Sequence, residues 1–286
     1  MAGQADVAGA GRAPRSRRRV DILGVPVDAL TVAEAVDLVA LRAADRTSPA
    51  CYATKPYVEF LDRAAVDPEV RTLLQGAEWS LPDGVALQWA AAYLDGPPGL
   101  GRLLGLLAAI VVRPEAVARV LPERFAGVSF TLPLLERCGR DGLEVHLVGS
   151  PKAQSIEATA RHLRERVPGL IITGTSPGRS DESAQDVLTV RLRAERPDVV
   201  LVGMGFPRQE RVMARLAASL DHGVLIGEGG TFDFIEFGGA TRRAPHILRR
   251  AGLEWLWRLW LEPSRWRRQL AIPRFVVRVW RASARR

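Results

Sequence analysis

Residues 198–210, Asp198-Val199-Val200-Leu201-Val202-Gly203-Met204-Gly205-Phe206-Pro207-Arg208-Gln209-Glu210, run from an aliphatic block through spaced glycines into a helix-opening sequence. The aliphatic block has no polar face, so its strand must be covered on both sides, which marks a parallel sheet rather than a half-solvated antiparallel one. The same order recurs on either side: residues 143–148 lead to Gly149-Ser150-Pro151, and residues 224–226 lead to Gly227-Glu228-Gly229-Gly230. Strand, glycine loop and helix in repetition predict an α/β chain with a Rossmann-like, mostly parallel sheet flanked by helices. Ligands of such sheets collect at the carboxyl ends of the strands, where helix N-termini direct N–H groups at phosphate. Gly149, Gly203, Gly205, Gly229 and Gly230 are therefore candidate nucleotide-loop residues. No loop completes G-x-G-x-x-G and no Walker A sequence occurs, so the loops specify an edge and not a nucleotide.

Towards the N-terminus, residues 20–27 read as strand, and Thr31-Val32-Ala33-Glu34 forms a capping box that opens a helix running to about residue 42. A strand at 51–54, helices near 58–65 and 68–75, and a short strand at 79–81 follow, after which Pro82-Asp83-Gly84 turns into a helix carrying Trp89. The longest apolar run, 103–112, lies between Arg102 and Arg113. At about 1.5 Å per residue it spans roughly half of a hydrocarbon core, too little to cross a membrane, so it predicts a buried helix or part of a lid, with an interfacial segment as the alternative.

The 286 residues, 47% hydrophobic and 25% charged, exclude a disordered or fibrous chain, and two cysteines exclude a disulfide framework or a four-cysteine zinc site. The net charge of +8 is segregated: residues 1–19 carry +4, residues 242–286 carry thirteen arginines against Glu254 and Glu262, and the middle is acidic. Three regions follow: a disordered basic arm at 1–19, an α/β core at 20–241 and a basic helical C-terminal appendage at 242–286. A cationic tail on an acidic core needs a polyanion, either anionic lipid, nucleic acid or a phosphorylated substrate. Five of the seven tryptophans lie in that tail; alternating with arginine they suit a membrane headgroup layer, or, alternatively, burial against the core.

Several stretches, taken in order, resemble the WecG/TagA/CpsF family of bacterial glycosyltransferases: Pro82-Asp83-Gly84, Arg124 followed by Gly127, residues 203–210, Gly229-Gly230-Thr231-Phe232-Asp233-Phe234, Arg243-Ala244-Pro245, Gly252-Leu253-Glu254-Trp255-Leu256 and Glu262-Pro263. The resemblance covers roughly residues 20–280. It implies inverting transfer of a sugar from a UDP-sugar to a polyprenyl-diphosphate-linked sugar in cell-surface polysaccharide or teichoic acid synthesis. The implied place is cytoplasmic, peripheral at the inner face of the cell membrane, and a homo-oligomer is left open. The donor is of N-acetylmannosamine type or a related hexose. The family pattern Thr-x-Asn is Thr54-Lys55-Pro56 here, and the acidic residue usual near position 129 is replaced by Ser129 and Phe130.

A single displacement needs one general base for the acceptor hydroxyl and cationic or donor groups for departing UDP. On the residues alone Asp83 is either a helix N-cap or a base; the resemblance implies the base. It likewise implies substrate contacts for Thr54, Arg124 and Gln209, and diphosphate contacts for Arg258, Arg265 and Arg268. Arginine can meet diphosphate through paired hydrogen bonds without a metal ion. No Asp-x-Asp pair is present, so neither a metal nor another cofactor is expected. Two further readings stand beside this one, a basic-tailed nucleic-acid-binding protein and a soluble nucleotide-dependent enzyme of other specificity. No helix-turn-helix, zinc or RNA-binding signature supports the former, so nucleic acid is not expected as a partner.

Overall fold

The structure, a computed structural model, describes residues 17–150, 152 and 154–285, without the side chain of Arg265. The greater part of the expected N-terminal arm, residues 1–16, therefore lies outside the described residues. Its last three positions are ordered by contacts. Arg19 begins a strand, and the guanidinium groups of Arg17 and Arg19 both meet the buried Asp28 carboxylate, at 2.8 and 3.0 Å.

Residues 20–27, read as one strand, form a hairpin instead. β1 (Arg19–Ile22) and β2 (Val25–Asp28) pair antiparallel around Leu23 and Gly24, both at positive φ, 56° and 85°. Two successive left-handed residues match the twist of flanking strands, which a type I′ turn requires. The hairpin stands apart from the main sheet and clasps its edge through Asp28, which accepts the backbone N–H of Ser80 at 2.7 Å.

The main sheet contains β3 (Cys51–Thr54), β4 (Trp79–Ser80), β5 (Glu144–Gly149), β6 (Ile171–Pro177), β7 (Val199–Gly203) and β8 (Val224–Gly227). Their order is β4-β3-β8-β7-β5-β6 and every pairing is parallel, as the unbroken aliphatic runs require. Register aligns Gly149 with Gly203, and Val202 with Gly227, so the glycine loops leave the sheet side by side. The Thr31–Glu34 capping box is formed in both directions at the start of helix Val32–Ala44.

Two arrangements differ from expectation. Helix Leu100–Val112 is not buried, since only Leu103 among its thirteen residues is. The appendage is not wholly peripheral either. Its last helix, Ala271–Ser283, buries Ala271, Phe275 and Val279 against helices Val58–Ala64 and Val85–Leu94, and Arg274 and Arg278 each reach Asp62 at 2.9 Å. Of the tail tryptophans, Trp260, Trp266 and Trp280 are exposed, so burial against the core does not explain these three, while Trp255 and Trp257 are half-buried.

Candidate active site

A cavity of about 1030 Å³ opens over the carboxyl edge of the sheet. Its walls come from the segments after β3, β4, β5, β7 and β8, from helices Val85–Leu94 and Leu100–Val112, and from the appendage.

Asp83 sits in this wall, its N–H held by the Pro56 carbonyl at 2.9 Å. The N-cap of the following helix is Gly84 at φ 90°, with no side-chain capping bond, so the Asp83 carboxyl is not used to cap. Burial pushes its pKa up to about 6, and Glu254 adds to the rise by repulsion, while Lys55, Arg258 and Arg124 oppose it. An aspartate near 6 is ionised at neutral pH and is a better proton acceptor than an ordinary exposed one.

Beside it Lys55 and Glu228 form a buried ion pair at 2.6 Å, and Thr131 donates to the same carboxylate at 2.8 Å. Both charged groups enter the cavity lining. Arg243 also lines it and donates to Ser129 at 2.8 Å, so the residue replacing the family's acidic position is a partner of a wall arginine.

Of the arginines expected to meet substrate, Arg124 reaches the cavity, as do Arg258 and Arg268 of the three expected at the diphosphate. Arg124 donates to the Arg249 carbonyl at 3.0 Å, Arg258 lies 4.8 Å from the centre of the Phe234 ring, and Arg268 stands 3.7 Å from Glu59. The side chain of Arg265 lies outside the described residues.

Other expectations need correction. Thr54 is fully buried, does not line the cavity, and directs its hydroxyl at Glu210 at 3.4 Å, beneath the site rather than in it. Gln209 lines the cavity but its side chain is already committed. Its Oε1 accepts the N–H of Gly205 at 3.1 Å and of Gly229 at 2.9 Å, and its Nε2 donates to Glu210 at 3.0 Å. Gln209 thus staples two loops, and two N–H groups expected to meet phosphate are already bonded. Glu210 is buried with its pKa pushed up to about 7 by that burial, and its Oε2 has no hydrogen-bond partner among the described residues.

The glycines divide by cause. Gly203, Gly205, Gly229 and Gly230 line the cavity and Gly149 does not. A Cβ at Gly203 would fall 2.6 Å from the Phe232 ring, and one at Gly149 would fall 3.0 Å from the Gly203 carbonyl, so both make room for neighbours. Gly205 and Gly229 adopt φ 74° and 56°, where only glycine is unstrained.

Lys55, Glu228, Asp233, Arg243, Glu254 and Trp255, none of them a candidate site residue from the sequence, also stand in the wall. Asp233 accepts the Lys152 N–H at 2.8 Å. The signal was available for Glu228 and Asp233, acidic residues just past the carboxyl end of a buried strand.

The description "Glycosyl transferase WecG/TagA/CpsF family" belongs to the family model that matches residues 20–116 and 108–286. Among curated proteins, the chain is 29% identical over 216 residues to an N-acetylglucosaminyldiphosphoundecaprenol N-acetyl-beta-D-mannosaminyltransferase of Bacillus spizizenii, an overlap spanning 76% of this chain and 73% of that protein.

Proposed function

The chain belongs to the WecG/TagA/CpsF family of glycosyltransferases, and from that premise we propose that it transfers a hexose from a UDP-sugar, with inversion, to a sugar carried on polyprenyl diphosphate at the cytoplasmic face of the membrane. The observation that carries this reading is Asp83, raised to about 6 in the wall of a large cavity that also presents Arg124, Arg258 and Arg268.

The ionised Asp83 carboxylate accepts the proton of the acceptor hydroxyl as that oxygen bonds to the anomeric carbon, while the bond from that carbon to the UDP oxygen breaks. UDP leaves with the charge on its diphosphate, which the wall arginines neutralise through paired hydrogen bonds. No covalent nucleophile is needed. The Lys55–Glu228 pair and the Gln209 staple hold the loops on either side of this path.

The relative's printed name describes an acceptor of N-acetylglucosamine on diphosphoundecaprenol and a mannosamine-type sugar; the same acceptor class is proposed here, and the departures at Lys55-Pro56 and Ser129 leave the donor sugar to be measured. The test offers labelled UDP-sugars to the full chain with a short-chain polyprenyl-diphosphate N-acetylglucosamine, with and without a chelator. Transfer of at least one hexose, insensitive to chelation, is expected. Absence of transfer from every UDP-sugar would overturn the reading, and loss on chelation restored by magnesium would overturn its arginine half.

A further inference from the structure

Helix Leu100–Val112 is apolar on every side and yet lies at the surface. Arg102 is its one charged residue, only Leu103 is buried, and Leu100, Leu104, Val111 and Val112 are 56–76% exposed. A helix of this composition is ordinarily interior, and exposed apolar area of this extent marks contact with an apolar ligand or phase.

Its inward side shows what that contact is. Leu107 and Ile110 enter the lining of the active-site cavity beside Val85 and Trp89 of helix Val85–Leu94 and beside Ile272 and Val276 of helix Ala271–Ser283. All six belong to, or pack on, one apolar cluster. Helix Val85–Leu94 touches both of the other helices, so it forms a floor between two apolar walls, and Asp83 stands two residues before that floor begins. The cavity therefore combines a carboxylate and arginines with a continuous apolar stretch formed by these six side chains.

We propose that this trough binds the first isoprene units of the polyprenyl diphosphate acceptor. This rests on the reading of the acceptor given above and adds its lipid subsite. The amphiphile matches the cavity in chemistry: a carboxylate for the sugar hydroxyl, arginines for the diphosphate, and an apolar stretch for a hydrocarbon chain that must avoid water. The chain leaves past Leu107 and Ile110 along a helix whose outer side is itself apolar, so no polar barrier separates the subsite from a bilayer.

The test measures KM for acceptors carrying increasing numbers of isoprene units, in solution and without vesicles, for the full chain and for the variants Leu107→Asn, Ile110→Asn, Ile272→Asn and Leu104→Asn. For the unsubstituted protein KM should fall roughly tenfold per added unit until the trough is filled, then level off. The three inward variants should flatten that dependence, and Leu104→Asn, on the outer side, should retain it. A KM independent of prenyl length in an active enzyme overturns the subsite without recourse to any variant. Inward variants that keep the full dependence while losing vesicle binding overturn it too, and make the helix a membrane contact only. Failure of the unsubstituted protein to use any prenyl acceptor is a separate result, which overturns the acceptor reading itself.

Discussion

Asp83 and Glu254 repel each other across the cavity wall, and this repulsion adds to burial in raising Asp83. The base must be ionised to act, so kcat/KM should rise with pH through about 6. Glu254→Gln removes a contribution that raises the pKa, and the acidic limb should therefore move to lower pH; a limb that stays or moves upward contradicts the assignment. Glu210 acts through stability instead. Its folded pKa of about 7 exceeds the ordinary value of 4.5, so the stability linked to it is complete below about 4.5 and is lost as pH rises through about 7. Thermal melts at pH 5 and pH 8 should show a larger loss for the native chain than for Glu210→Gln, and equal losses would contradict this. The base at Asp83 was implied by the resemblance, whereas its coupling to Glu254 and the burial of Glu210 were not legible beforehand. Residue type marks Gln209 and Glu210 as polar, but only the folded register brings the Gly205 and Gly229 N–H groups to one amide oxygen.

Strands β5, β7 and β8 were legible because burial on both faces leaves an uninterrupted aliphatic run. β6 was not, since Ile171-Ile172-Thr173-Gly174-Thr175-Ser176-Pro177 lies at the sheet edge and mixes polar residues with glycine. The β1–β2 turn was missed because Leu23 gives no sign that it will adopt φ 56°. The last helix was read on charge as part of the basic appendage, with docking on the core as the alternative, and its i, i+4, i+8 series Ala271, Phe275, Val279 is a core face. Phe275 is fully buried, and Phe275→Ala should cost about 3–5 kcal/mol in a denaturant titration. A cost under about 1 kcal/mol would mean that the helix is only loosely docked.

At the scale of the whole molecule, the excess positive charge of residues 242–286 coincides in sequence with exposed aromatic side chains. The thirteen tail arginines accompany Trp260, Trp266 and Trp280, each exposed, which suits an anionic membrane surface beside a site for a lipid-linked acceptor. Binding to anionic vesicles should fall with added salt and with Trp260→Ser, each basic residue near the surface contributing about 1 kcal/mol before screening; equal binding to neutral vesicles would contradict it. The parallel sheet and the charge segregation could be read from the chain, whereas the apolar trough could not, because its walls come from segments more than a hundred residues apart in sequence. Asp83 as the base is tested most directly by the pH dependence of kcat/KM for the native chain and Asp83→Asn on a water-soluble acceptor. The native chain should show an acidic limb near 6, and Asp83→Asn should lose about a hundred- to ten-thousand-fold in turnover with UDP binding retained. Near-native turnover by the folded Asp83→Asn protein, with the same limb, would contradict it.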